Sequence, residues 1–141
     1  MSVFIVDASV VLKWFLPETL SDAARRLLDS QHQYVAPDLL FPEVGNAIWK
    51  RVRRGELTSD EGQRLISDMA DVAVETIAAR GLIGDAFAIA TASGQTVYDS
   101  TYLALAVRLA TQVVTADQRL HNAVSRNPAL AEHIRMVDTF A

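Results

Sequence analysis

The sequence predicts a single three-layer α/β domain in which helices cover both faces of a central parallel β-sheet. Short apolar segments rich in β-branched residues alternate along the chain with longer segments whose apolar residues recur at helical spacing. Such alternation is typical of strands that pair in parallel through helical crossovers and are buried on both faces. No repeat, linker or shift in composition divides the 141 residues, so we expect one domain over 1–141.

Five segments are predicted to form the strands of this sheet. The first is a short apolar run with β-branched residues, as is usual for a strand that is buried on both faces. In chain order they are Val3–Val6, Tyr34–Ala36, Val74–Ile77, Gln112–Thr115 and Arg135–Val137. The prediction is therefore a parallel sheet of about five strands.

Helices are predicted between these strands. Apolar residues at helical spacing indicate a helix over 20–29, and Pro42 near its start indicates another over 41–54. A capping-box sequence begins a helix over 58–72. The remaining predicted helices, two of them rich in alanine, cover 84–93, 100–110 and 117–125.

The composition excludes several classes of protein. Half of the residues are apolar and 21% are charged, which is unlike a disordered chain. The absence of cysteine excludes a disulfide scaffold, a thiolate zinc site and a cysteine nucleophile. No segment resembles a signal peptide or a membrane span, so we expect a cytoplasmic protein that does not enter a membrane.

Four acidic residues follow predicted strands or begin predicted helices. Asp7 closes the first strand, Glu43 lies in the first turn of a helix, and Asp99 and Asp117 open two later helices. Ligands of open α/β sheets bind at the carboxyl ends of the strands, so these carboxylates are expected to converge there. Converging carboxylates repel one another unless a cation lies between them, and all-oxygen ligands favour Mg²⁺ or Mn²⁺.

Two other interpretations of the polar residues stay open at this point. An aspartate at the start of a helix is a good N-cap, which implies no chemistry. The three histidines, His32, His121 and His133, raise the alternative of an active site that works by acid–base catalysis without a metal. We expect these histidines to be solvated surface residues, although His121 lies one helical turn after Asp117 and could face the site.

Four short motifs occur along the chain in a characteristic order. They are Asp7-Ala8-Ser9, the pattern Pro-x-x-x-x-Pro-Glu-Val-x-Asn ending at Asn46, Tyr98-Asp99-Ser100-x-Tyr102-x-Ala-Leu-Ala, and Thr115-Ala116-Asp117-x-Arg119-Leu120. With these motifs the sequence resembles PIN-domain ribonucleases, most closely the VapC-type toxins of bacterial toxin–antitoxin modules. The resemblance covers essentially the full chain.

This resemblance implies a PIN-like fold and a Mg²⁺-dependent endoribonuclease, with Mn²⁺ as a possible substitute. A metal-activated water would hydrolyse RNA phosphodiester bonds and leave a 5′-phosphate and a 3′-hydroxyl. The acidic metal-binding residues of the family correspond to Asp7, Glu43, Asp99 and Asp117, with Asp7 and Asp99 as the direct ligands. The resemblance also implies a cognate antitoxin and a homodimer. The alternative is a non-catalytic PIN-like module that binds RNA or protein.

Further residues are candidates for supporting roles around these acids. Ser9 and Thr115 place hydroxyl groups beside two of them, and Asn46 lies one helical turn after Glu43. The candidates for RNA contact are Lys50, Arg51, Arg53 and Arg54. The net charge of −4 argues against a general nucleic-acid binder, whereas this basic run allows selective binding. Bases at a helix end also suit the helix dipole alone.

The segment Val10–Leu16 is unusually apolar, and two interpretations of it are kept. It can belong to the core of the domain. The resemblance adds a second interpretation, an apolar groove in which an amphipathic segment of the antitoxin docks with Trp14 and Phe15 on the rim.

Overall fold

Five parallel strands form one sheet in the structure, a computed structural model that describes residues 2–140. The strand order is β3-β2-β1-β4-β5, with helices packed on both faces, so the predicted fold class is confirmed. The strands are β1 Val3–Val6, β2 Gln33–Pro37, β3 Glu75–Ile77, β4 Val113–Thr115 and β5 Ile134–Met136.

Seven α-helices connect and flank these strands. They are α1 Ala8–Phe15, α2 Ser21–Leu28, α3 Leu40–Arg53, α4 Ser59–Met69, α5 Ile83–Ser93, α6 Val97–Arg108 and α7 Gln118–Ser125. Short 3₁₀ turns cover Ala79–Leu82, Ala131–His133 and Val137–Thr139. Among residues 2–140, none of the helices combines the length and the apolar character needed to cross a membrane.

The centre of the sheet supplies the core of the protein. β1 pairs with β2 on one side and with β4 on the other, and Ile5 lies opposite Val35 and Val113 in these two pairings. Ile5, Val6 and Val114 are completely buried, which agrees with the apolar character that predicted strands covered on both faces.

The helix α1 was not predicted. Val10, Val11, Leu12 and Trp14 are all buried, so the helix presents little polar surface and its sequence lacks the alternation of faces that reveals most helices. Asp7 caps this helix, because its Oδ1 accepts a hydrogen bond from the Val10 amide at 3.3 Å.

The start of α6 also differs from the prediction, which placed it at Ser100. The helix begins at Val97 because the Oγ1 of Thr96 accepts a hydrogen bond from the Asp99 amide at 3.1 Å. Asp99 therefore lies inside the first turn instead of capping the helix.

The order of the strands defines where a ligand can bind. The chain builds β1, β2 and β3 in one direction and then returns to add β4 and β5 on the other side of β1. The carboxyl ends of β1 and β4 therefore lie next to each other at the point where the order reverses. Ligands of open α/β sheets bind in the crevice at such a switch point.

Candidate active site

Asp7 occupies the carboxyl end of the central strand β1. Its side chain is only 8% exposed and is held by two hydroxyl groups. The Oγ of Ser9 donates to Oδ1 at 2.5 Å, and the Oγ1 of Thr115 donates to Oδ2 at 2.5 Å. These bonds fix both carboxylate oxygens in one orientation.

The same hydroxyl groups join β1 to the loop after β4. Thr115 accepts a hydrogen bond from the Asp117 amide at 3.0 Å, and Ser9 accepts one from the Ala116 amide at 2.9 Å. The exposed Asp117 caps α7, because its Oδ1 accepts from the amides of Arg119 and Leu120. Helix capping therefore accounts for part of the role of Asp7 and of Asp117. The two capping hydrogen bonds of Asp117 use only its Oδ1, so its Oδ2 takes no part in the cap.

Glu43 approaches from α3 and is held by a tyrosine on α6. The hydroxyl of Tyr102, a residue only 3% exposed, donates to Oε1 of Glu43 at 2.7 Å. Tyr102 lies three residues after Asp99 on the same helix, so one face of α6 carries both a carboxylate and the group that orients Glu43.

The electrostatic environment shows that these carboxylates interact. The pKa of Asp7 is raised to about 6, mainly because the carboxylate is buried. Hydrogen bonds from Ser9, Thr115 and the Val10 amide lower this pKa in part, and the negative charge of Asp99 raises it. Burial also raises the pKa of Glu43, and the charges of Asp99 and Asp7 add to this effect. Negative charge is therefore costly at this place in the metal-free protein.

Asp99 interacts electrostatically with Asp117 as well as with Asp7 and Glu43. Burial raises its pKa, an interaction with Thr96 opposes the rise, and the charge of Asp117 reinforces it. Among residues 2–140, however, no three acidic or histidine side chains lie close enough to form a compact metal cluster. The carboxylates thus affect one another electrostatically without forming a closed cage.

The donor set fits a hard divalent cation. The candidate ligand groups at this edge, the four carboxylates and the hydroxyls beside Asp7, all offer oxygen atoms, and positive charge would relieve the mutual repulsion of the carboxylates. The side chains therefore suit Mg²⁺ or Mn²⁺ better than a metal that prefers nitrogen or sulfur ligands.

A pocket of about 340 Å³ extends from Glu43 along α3. Asn46, Lys50, Arg51 and Arg54 line it on successive turns of the helix. Lys50 and Arg54 are exposed, and within residues 2–140 no carboxylate forms an ion pair with either of them. One of the four acids, Glu43, therefore shares this surface with the basic end of α3.

The other two arginines of the basic run are placed differently. Arg51 lines the same pocket, but its Nη2 lies 2.9 Å from Oε2 of Glu18 and its Nη1 donates to the Ala47 carbonyl at 3.1 Å. Arg53 stacks on the ring of Trp49, at 5.4 Å from its centroid, and is absent from the lining of the pocket. The four bases therefore do not act as one patch, because helical geometry distributes them over different faces.

The prediction that Trp14 lies on the rim of a groove is wrong. Its side chain is 6% exposed, and its Nε1 donates to the Ala24 carbonyl of α2 at 2.8 Å. The helix α1 turns Trp14 into the core, where it packs beside Tyr34. Phe15 is half-buried and packs against the same core.

The histidines are partly buried instead of fully solvated. His32 packs edge-on against Phe4, and His133 Nδ1 lies 2.8 Å from the Thr111 carbonyl. Both are near the amino-terminal ends of strands, at the edge of the sheet opposite Asp7. This placement removes the support for an active site built on paired histidines.

Two tyrosines near the acids were not predicted to have a role. Tyr102 orients Glu43, and the signals for it in the sequence are its position one helical turn after Asp99 and its place in the motif that begins at Tyr98. Tyr98 lies one turn before Tyr102 on the same face of α6, and 67% of its side chain is exposed. Its ring is exposed, and the residue directly precedes Asp99 in the chain.

Comparison with known proteins identifies the family of this chain. Residues 4–125 match the PIN domain. The ribonuclease VapC3 of Pyrobaculum aerophilum is 34% identical over 118 residues, which are 82% of this chain and 90% of that protein.

Solved structures share the fold. A crystal structure from Pyrobaculum aerophilum superposes with a TM-score of 0.69 at 22% identity, over 99% of this chain and 94% of that chain. A toxin–antitoxin complex from Klebsiella pneumoniae superposes with a TM-score of 0.62 at 15% identity, over 94% and 96% of the two chains. From its sequence match and its fold, the chain belongs to the PIN-domain family and is related to the VapC ribonucleases within it.

Proposed function

We propose that this protein is a Mg²⁺-dependent endoribonuclease and the toxin of a VapBC-type toxin–antitoxin pair. The observation that carries the proposal is the buried carboxylate of Asp7, held by two hydroxyls at the switch point of the sheet and coupled electrostatically to Asp99 and Glu43. A solely structural aspartate would not need other carboxylates nearby, since each raises the cost of its charge.

In the proposed site, Asp7 and Asp99 would hold the metal directly, and Glu43 and Asp117 would hold a second ion or the waters around the first. Bound Mg²⁺ would lower the pKa of a coordinated water and neutralise charge on the phosphate. The protein orients the ligands: Ser9 and Thr115 fix both oxygens of Asp7, and Tyr102 fixes Glu43.

The RNA backbone is proposed to follow the pocket along α3. Lys50 and Arg54 contribute the free positive charge there, and Asn46 offers an amide between them and Glu43. Arg51 supports this surface through its ion pair with Glu18, and Arg53 lies outside it. The exposed ring of Tyr98 offers a surface for a base on the other side of the acids.

The antitoxin is proposed to dock on the exposed apolar surface between α3 and α4. Trp49 is 53% exposed and Ile66 is 41% exposed, and both line a pocket between these helices, with Phe41 lining the next one. An amphipathic segment can place its apolar face in such a groove. This surface replaces the groove predicted at Trp14, and the relative seen as a toxin–antitoxin complex supports a partner of this class.

The homodimer is proposed to form through α5 and the adjoining part of α6. Ile83 and Phe87 are more than half exposed, and Val107 and Leu109 are 45% exposed. Exposed apolar side chains grouped in this way are typical of a protein interface.

A direct test of the enzyme is cleavage of RNA by the purified protein. We expect cleavage in Mg²⁺ that stops in excess chelator and leaves 5′-phosphate ends, identified by end-group analysis of the products. The alternative, a non-catalytic PIN-like binding module, predicts RNA binding without new ends in either condition.

A further inference from the structure

A second pocket, of about 370 Å³, lies on the opposite side of the molecule from the four acids. It is formed where α2, the beginnings of β1 and β2, and the segment after β5 meet. Its lining includes Arg26, His32 and Arg135, together with the rings of Phe4 and Phe140, and contains no acidic residue. Its two arginines face no carboxylate in this lining, although the chain as a whole has a net charge of −4.

Arg135 is held rigidly at this pocket. Its Nε donates to Oγ1 of Thr139 and its Nη2 donates to the Thr139 carbonyl, both at 3.0 Å. The guanidinium group also lies 3.6 Å from the ring centroid of Phe140. These contacts fix the group and still leave N–H donors unused, because a guanidinium carries five of them.

Neither arginine has its charge neutralised by the described part of the chain. Within residues 2–140, no carboxylate forms an ion pair with Arg26 or Arg135. His32 adds a buried polar atom to this pocket, because its Nδ1 has no hydrogen-bond partner within residues 2–140. A buried polar atom without a partner destabilises the protein, so a ligand that supplies one is favoured.

We propose that this pocket binds a phosphate group, either as inorganic phosphate or as the phosphate of a mononucleotide. Two arginine side chains around one concave space suit a phosphate because guanidinium groups donate pairs of hydrogen bonds to its oxygens. The volume lies within the range of small-ligand pockets, and Phe4 and Phe140 provide apolar surface for the rest of a nucleotide. This site is separate from the proposed active site and does not depend on cleavage of RNA.

The test is a titration of the full chain, in chelator, with inorganic phosphate, adenosine monophosphate and adenosine, followed by ¹H–¹⁵N spectra. We expect saturable shifts of the amides of His32 and Arg135 with both phosphate compounds, and none with adenosine. A tenfold tighter dissociation constant for the nucleotide would identify the nucleotide as the ligand, whereas equal constants would identify free phosphate.

Matched variants decide whether the arginines form the site. Arg26→Gln and Arg135→Gln should each weaken binding at least tenfold, while Arg64→Gln, on the exposed side of α4, should leave it unchanged. Arg26 is exposed and forms no ion pair within residues 2–140, so Arg26→Gln keeps the test valid if Arg135→Gln does not fold. Absence of saturable shifts in the parent, or equal binding by Arg26→Gln and the parent, would overturn the proposal.

Discussion

The hydroxyl of Thr115 donates a hydrogen bond of 2.5 Å to Oδ2 of Asp7, although the two residues are 108 positions apart in the sequence. The contact is possible because β1 and β4 are adjacent parallel strands whose carboxyl ends lie side by side. The same hydroxyl accepts a bond from the Asp117 amide at 3.0 Å. One threonine therefore positions two of the four candidate acids.

Replacing Thr115 with valine should lower the catalytic activity of a protein that still folds. Valine keeps the shape but removes the hydroxyl, which leaves Asp7 without one of its donors and the Asp117 amide without its acceptor. Loss of a group that orients a metal ligand typically lowers activity or metal affinity by about 10–100-fold. The measurement is kcat/KM for RNA cleavage; Thr115→Ser, which retains the hydroxyl, should recover most of the loss, and equal activity of both variants would contradict the role.

Tyr102→Phe should increase the Mg²⁺ concentration needed for half-maximal cleavage. The phenylalanine fills the same space but cannot donate to Oε1 of Glu43, so this carboxylate loses its fixed orientation. We expect an effect of roughly tenfold or more on the metal requirement. A Mg²⁺ titration of the cleavage rate provides the measurement. A variant with the parent's Mg²⁺ dependence would show that Glu43 needs no such support.

The metal-free protein should become less stable as the pH rises from about 4 to about 6. The pKa of Asp7 is about 6 in the folded protein and near 3.8 when unfolded, so the folded state binds the additional proton in this window. The free energy of unfolding is therefore higher below the window and falls as Asp7 ionises, by about 3 kcal/mol for a change of this size. The raised pKa values of Glu43 and Asp99 act in the same direction.

Asp7→Asn isolates this effect in thermal melts recorded in chelator. At neutral pH the variant should melt higher than the parent, since each ~1 kcal/mol of relieved cost raises the melting temperature by a few degrees in a domain of this length. Its stability should also depend less on pH. Added Mg²⁺ should stabilise the parent more than the variant. If Asp7 serves only as a helix cap, the variant should instead melt lower and Mg²⁺ should have no specific effect on either protein.

The salt dependence of RNA binding tests the basic surface on α3. Measured with the inactive Asp99→Asn protein, the double change Lys50→Ala and Arg54→Ala should weaken binding and reduce the slope of log K against log salt by about 1.4, for two lost phosphate contacts on a single strand. The matched control, Arg64→Ala with Arg126→Ala, removes the same charge from exposed positions elsewhere that form no ion pair within residues 2–140. Equal slopes for both doubles would assign the basic run to helix capping alone.

Much of the fold follows from local patterns in the sequence. The central strand was predictable because a short, continuous apolar segment such as Val3–Val6 is typical of a strand that is buried on both faces. The helix α4 was predictable from its capping box, in which the side chain of Thr58 and that of Glu61 each bond to the other's backbone amide. The helix α1 was missed because it is short and most of its apolar residues are buried, which leaves only Ser9 and Lys13 as polar residues.

The candidate site was less predictable than the fold. The four acids were found because they follow strands or begin helices, which are local properties of the chain. The groups that hold them depend on contacts between distant residues: Tyr102 reaches Glu43 from another helix, and Arg51 is neutralised by Glu18 from a loop 33 residues earlier. Composition and spacing contain no information about such pairs, which form only when the sheet brings the elements together.

The cleavage rate of Asp99→Asn, compared with the parent in the same Mg²⁺ buffer, tests the central claim most directly. The amide keeps the shape of the side chain and removes the charge proposed to bind the metal. We predict that cleavage of RNA is abolished while the circular dichroism spectrum and the cooperative melt remain those of a folded protein. Asp71→Asn, an exposed aspartate after α4, serves as the control and should cleave at the parent rate. Full activity in Asp99→Asn would contradict the metal site at the carboxyl edge of the sheet.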